Sequence, residues 1–111
     1  MIKLHAKLAI EPHCKGGWEL VLWTGDAFDR STPFRKMLAD IADVLNREAP
    51  TSIRLPRYHA SEDGIEGMLQ FGDEPIRIYY EHALSYLALM SNNGSALHKI
   101  AECLQPVVAL A

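Results

Sequence analysis

Residues 64–81 read Gly64-Ile65-Glu66-Gly67-Met68-Leu69-Gln70-Phe71-Gly72-Asp73-Glu74-Pro75-Ile76-Arg77-Ile78-Tyr79-Tyr80-Glu81, and their period decides the fold class. Ile65, Gly67, Leu69 and Phe71 alternate with Glu66, Met68 and Gln70, the two-residue repeat of a strand with one buried face. Gly72-Asp73-Glu74-Pro75 is a cluster of turn formers. Beyond it Ile76, Ile78 and Tyr80 alternate with Arg77, Tyr79 and Glu81. Two alternating runs about such a turn predict an antiparallel hairpin.

Outward from this hairpin the chain keeps the same character. After a turn at 82–84, residues 85–90 predict a further strand, and Asn92-Asn93-Gly94 closes the meander. Ser95 is then expected to cap a helix in which Leu97, Ile100, Ala101 and Leu104 share a face, with Pro106 stopping it at about Gln105. On the N-terminal side, residues 57–63 read as a charged loop. Thr51 to Leu55 reads as a short edge strand between Pro50 and Pro56. Before it, Phe34, Met37, Leu38, Ile41, Val44 and Leu45 have helical spacing, with Thr32 as cap and Pro33 in the first turn. Ile2, Leu4, Ala6, Leu8 and Ile10 alternate with Lys3, His5 and Lys7, which predicts one strand ending at Pro12. Lys15-Gly16-Gly17 turns the chain into Trp18–Thr24, apolar on both faces and so an interior strand. The order is ββαββββα. It predicts a single α+β domain spanning residues 1–111, with a mostly antiparallel sheet and both helices on one face.

Composition narrows the function classes. The chain has 111 residues, 49% hydrophobic and 23% charged, which is ordinary for a globular protein and enough for one core. No apolar run approaches the ~18 residues of a membrane span, and Lys3 and Lys7 argue against a secretory leader. Cys14 and Cys103 are far apart with no metal-type spacing, so a reduced, cytoplasmic setting is expected. The net charge is −3, which argues against direct nucleic-acid binding. Acid is concentrated at residues 59–82, which hold six acidic side chains and one basic.

Candidates for chemistry each have a plainer reading. Cys14 lies beside His13 and Lys15, and a neighbouring cation activates a thiol. No third group orients it, so an ordinary loop thiol is the better reading. Cys103 borders an apolar helical stripe and reads as core filler. His59, Glu62, Asp63 and Glu66 are metal-ligand types, but Gly64 and Gly67 break any helix that would gather them, and their spacing matches no metal motif. Lys15-Gly16-Gly17 is too short for a phosphate loop, and no nucleophile elbow surrounds a serine. No catalytic residue, cofactor or metal is therefore expected. Trp18 and Trp23 are five residues apart in one strand, and Tyr79 and Tyr80 are adjacent. Each pair must split between the two faces of its strand, which puts one member of each away from the main core.

A family resemblance adds to this. Gly17-Trp18-Glu19-Leu20-Val21-Leu22-Trp23-Thr24-Gly25 leads into a Phe34-Arg35-Lys36-Met37-Leu38 helix. Leu55-Pro56 follows, then an acidic loop and Glu66-Gly67-Met68-Leu69-Gln70-Phe71-Gly72. Tyr79-Tyr80-Glu81-His82 and Tyr86-Leu87-Ala88-Leu89 complete the pattern. In general look and size this resembles the small immunity proteins of bacterial polymorphic-toxin and contact-dependent growth inhibition systems. The resemblance implies a non-enzymatic cytoplasmic binder that neutralises one cognate toxin domain, often a nuclease, by occluding its active site. On that reading the acidic 59–82 segment is the expected contact surface. Glu62, Asp63, Glu66, Asp73, Glu74 and Glu81 would meet basic groups, with Tyr58 and Tyr79 as anchors. The other classes are a small enzyme or ligand-binding domain using the His59–His82 region, and a module that forms a homodimer through an edge strand.

Overall fold

In the computed structural model, residues 2–4, 6–23, 34–56, 64–81 and 86–110 are described. The hairpin at the centre of the sequence forms as its period predicts. β5 (Gly64–Phe71) pairs antiparallel with β6 (Glu74–Glu81), with Gly72-Asp73 as the turn. β7 (Tyr86–Ser91) pairs with the other side of β6, and β4 (Thr51–Arg54) with the other side of β5. β3 (Trp18–Trp23) pairs with β7, and β2 (Ala9–Pro12) lies outside β3. The six-stranded antiparallel sheet therefore runs β2-β3-β7-β6-β5-β4. β4 is an edge strand and β3 an interior one, as their sequences require.

Two helices complete the α+β fold. α1 (Phe34–Asn46) buries Leu38, Ile41 and Leu45, and α2 (Gly94–Leu104) buries Leu97, Ile100 and Leu104. These six join one core with Leu20 and Leu22 of β3, Leu87 and Leu89 of β7, Ile76, Ile78 and Tyr80 of β6, and Ile65, Leu69 and Phe71 of β5. All of those strand residues share one face by register, so both helices cover the same side. Gly67 belongs to that face, and a Cβ there would lie 2.7 Å from the Arg54 carbonyl oxygen and 2.6 Å from Leu55 Cδ2. A glycine is what lets the end of β4 cross so close. At the other end of the sheet Gly17 has φ +77°, and a Cβ on it would meet Asn92 Oδ1 at 2.6 Å. The β2–β3 turn needs glycine for both backbone shape and space.

Three expectations are corrected. The alternating run Ile2–Ile10 is not one strand. β1 (Ile2–Leu4) leaves the sheet and pairs in parallel with β8 (Val108–Leu110), a strand the sequence reading did not include. Alternation reports which face a residue takes, not which partner its strand finds. Here Ile2 and Leu4 gain full burial against the core by joining the other chain end. The order is accordingly βββαββββαβ. Ser95 does not cap α2. Asn93 does, its Oδ1 accepting from the Ala96 N–H at 3.3 Å. An asparagine placed before two small residues suits the same task and begins the helix two residues sooner, at Gly94. Pro106 acts as expected: α2 ends at Leu104, and Gln105–Val107 make one 3₁₀ turn into β8. The expected cap at Thr32 and turn at 82–84 lie outside the described residues.

Candidate functional site

The side of the sheet away from the helices carries the most unusual chemistry. Its residues follow from the register in two cross-strand rows and part of a third. One row reads Arg54, Met68, Arg77, Met90, Glu19 and Glu11 across β4 to β2. The next reads Glu66, Tyr79, Ala88, Val21 and Ala9. The last reads Gly64, Glu81, Tyr86 and Trp23. Glu11, Glu66, Arg54 and Arg77 are exposed, and Trp23 and Met68 keep 37% and 39% of their surface in solvent. A single exposed apolar side chain is ordinary, and only a contiguous group marks a contact surface; Trp23 has such neighbours and Met68, three strands away, does not join them.

Three rings form its centre. Trp23 and Tyr86 are direct cross-strand partners, with ring centroids 4.9 Å apart and planes at 59°. Tyr79 meets Tyr86 edge-on at 6.5 Å. Both geometries are those in which ring quadrupoles attract. The Tyr86 hydroxyl donates to Glu19 Oε2 at 2.7 Å. Glu19 lies four residues back along β3 from Tyr86's partner Trp23, about 13 Å along the strand. The two side chains must therefore lie along the sheet and span the row that holds Val21 and Ala88. That accounts for Val21 at 3% and Ala88 at 1% exposure on the face opposite the two described helices. The Tyr79 hydroxyl donates to Glu81 Oε2 at 3.3 Å, a shorter reach between next-but-one residues of one strand.

These contacts set the electrostatics. Burial is the main cause that raises the Tyr86 pKa well above that of a free phenol, followed by the hydrogen bond to Glu19 and the charges of Glu19 and Glu11. The Tyr79 pKa is raised too, by burial first and then by Glu81 and Glu66. Both phenols stay protonated donors and hold their carboxylates against the rings. The surface is thus an aromatic centre with Glu11, Glu19, Glu66 and Glu81 around it and Arg54 and Arg77 toward its β4–β6 side.

The expected contact residues divide. Glu66, Tyr79 and Glu81 belong to this face and stand near one another. Tyr58, Glu62 and Asp63 lie outside the described residues, as does His59. Asp73 sits in the β5–β6 turn, six residues along from Tyr79 and so about 20 Å away. Glu74 is on the opposite face, in line with Ile76 and Ile78. Its Oε1 accepts from the Ser91 hydroxyl at 3.4 Å and its Oε2 from Asn93 Nδ2 at 3.3 Å. Ser91 Oγ in turn accepts the Asn93 N–H at 2.9 Å. Glu74 thus holds the start of α2, where a negative charge also suits the helix dipole. It is tied into the fold and apart from the open face. Glu11, Glu19, Trp23 and Tyr86 are the members not singled out as contacts in advance. They enter because β3 pairs with β7, and only the odd spacing of Trp18 and Trp23 hinted at it. Trp18 is on the helix side, against Gly94, and Tyr80 is in the core.

The remaining candidates are plainer. The Lys15 N–H donates to His13 Nδ1 at 3.1 Å, so His13 is engaged in its own turn and not with the exposed Cys14. Burial is the first cause that raises the Cys103 thiol pKa. Among the described residues no three His, Cys, Asp or Glu side chains gather as a metal site. On the helix side, an open groove of about 640 Å³ lies between Leu8, Ile10 and Leu20 and the His98, Ala101, Glu102 and Pro106 end of α2. Among the described residues no helix is long and apolar enough to cross a membrane. Compared with known protein families, curated proteins and solved structures, the chain finds no match.

Proposed function

We propose that this chain is a toxin-neutralising binding protein of the immunity type, and that it docks its partner on the sheet face opposite the helices. The observation that carries the reading is the convergence on that face of Trp23, Tyr79 and Tyr86 with Glu11, Glu19, Glu66 and Glu81. Tryptophan and tyrosine are enriched among the few side chains that carry most of the energy in protein interfaces, because each buries a large area at small entropic cost. The acids around them raise the capture rate of a basic partner and mimic the phosphates that a nuclease active site accepts. The sequence resemblance to immunity proteins points the same way.

The test is to titrate the protein calorimetrically into the toxin domain encoded immediately upstream, and to assay that domain's toxicity with and without it. Nanomolar binding with loss of toxicity is expected. An active upstream domain that neither binds nor is neutralised contradicts the reading.

A further inference from the structure

The rings and carboxylates of the open face specify more than a binding surface. Tyr86 lies between Trp23 on one side and Glu81 on the other, as direct cross-strand neighbours, and its hydroxyl reaches Glu19. We propose that Tyr86 is the floor of a seat for an arginine side chain of the partner. The guanidinium stacks on the Trp23–Tyr86 pair and donates to Glu19 and Glu81. This rests on the reading of the face as a docking surface and names what enters it.

Four features favour arginine. A guanidinium is planar and weakly hydrated, so it can stack on an aromatic ring and donate in its own plane at the same time. A carboxylate offers about four lone-pair sites, and each phenol hydroxyl engages one oxygen, Oε2 of Glu19 and Oε2 of Glu81. The carboxylates therefore keep acceptor capacity while being held in place, which reduces the ordering cost of binding. The raised phenol pKa values keep both hydroxyls as donors across the physiological range. Finally, the local sign of charge selects the occupant. Glu11, Glu19, Glu66 and Glu81 outnumber Arg54 and Arg77 on this face, and the two acids bonded to the phenols, Glu19 and Glu81, would repel the same residues of a second copy, as well as phosphates and anionic lipid headgroups.

The test uses the whole chain and capped tetra-arginine, tetra-lysine and tetra-glutamine peptides as probes. The chain has two tryptophans, and Trp18 is on the other face, so Trp18→Phe leaves Trp23 as the reporter. We expect a saturable change of Trp23 emission with tetra-arginine and none with tetra-glutamine. Affinity for tetra-arginine should exceed that for tetra-lysine by about threefold or more, since only guanidinium stacks and forks at once. Glu19→Gln with Glu81→Gln should weaken tetra-arginine by about tenfold, whereas Asp73→Asn, in the distant β5–β6 turn, should leave it unchanged. Equal affinity for the lysine peptide overturns the seat in favour of a diffuse acidic field, and that comparison needs no variant of the face. An equal loss from Asp73→Asn overturns it too. Trp23 emission that shifts with protein concentration alone would show a second copy on the face and would also overturn it.

The two readings fail separately. Arginine binding as described, with an active toxin left unneutralised, removes the immunity function and leaves the seat. Neutralisation that survives Glu19→Gln with Glu81→Gln unchanged, alongside no peptide binding, removes the seat and leaves the function.

Discussion

Tyr86 shows how one side chain can serve both the fold and the surface. Its reach to Glu19 shields Val21 and Ala88 from water on the face opposite α1 and α2. Its ring is also the meeting point of Trp23 and Tyr79. The raised phenols make a pH prediction with a definite sign. The folded state retains protons that the unfolded chain releases at about pH 10. The stability they contribute is complete below that pH and is lost as the pH rises through the higher folded values. Phenolate absorbance should show Tyr86 titrating above a free tyrosine. Tyr86→Phe should remove that late transition and flatten the alkaline fall in stability. A titration curve unchanged by the substitution would contradict the Tyr86–Glu19 contact. Thiol chemistry gives a second residue-scale prediction. Cys14 is exposed, whereas Cys103 is half-buried with a raised pKa, so a neutral-pH thiol reagent should modify Cys14 first. Faster loss of Cys103 would contradict the packing of α2.

At the scale of the elements, most of the strands were legible in the sequence. The period-two runs at 65–71 and 76–80 set the hairpin and the faces of its residues, and the odd spacings correctly split Trp18 from Trp23 and Tyr79 from Tyr80. Partner choice was not legible. The pairings of β3 with β7 and of β1 with β8 join residues far apart in the chain, and local period carries no record of them. β8 has three residues, too few to show a period at all. The α2 cap was misplaced because Asn93 and Ser95 are both good caps, and only the Glu74–Ser91–Asn93 contacts decide between them. Asn93→Ala should cost ~1 kcal/mol for the lost cap, measurable by chemical denaturation. Ser95→Ala should cost a few tenths of that; a reversed order would contradict the assignment. Gly67→Ala should cost about 1–3 kcal/mol, the usual range for forced overpacking, because its Cβ meets backbone at Arg54.

For the whole molecule, asymmetry between the sheet's two sides is the organising fact. One side buries Leu20, Leu22, Leu69, Ile78, Tyr80, Leu87 and Leu89 beneath two helices. The other presents rings and carboxylates on the side away from both described helices. The candidate site was half legible in the sequence. The acid concentrated in the 59–82 segment points to Glu66 and Glu81, with Tyr79 beside them. The same signal also included Glu74, which is bound into the start of α2, and Asp73, which lies at the far turn. A linear count of charge cannot separate residues that the pleat sends to opposite faces. It also cannot bring in Glu11 and Glu19, which come from the first half of the chain. The β1–β8 closure ties both chain ends to the core through Leu4, so Leu4→Ala should cost about 2–5 kcal/mol without altering the open face.

The central claim is that the open sheet face, and not the groove beside α2, is where the partner binds. The most direct measurement is the calorimetric affinity of the neutralised toxin domain for Trp23→Ala and for Glu102→Gln, each first shown to be folded. Trp23→Ala should weaken binding by about 30-fold, the scale of a hot-spot tryptophan, while Glu102→Gln on the groove rim leaves it unchanged. Trp23→Ala within twofold of the parent, with binding lost in Glu102→Gln, would contradict the account and move the interface to the helix side.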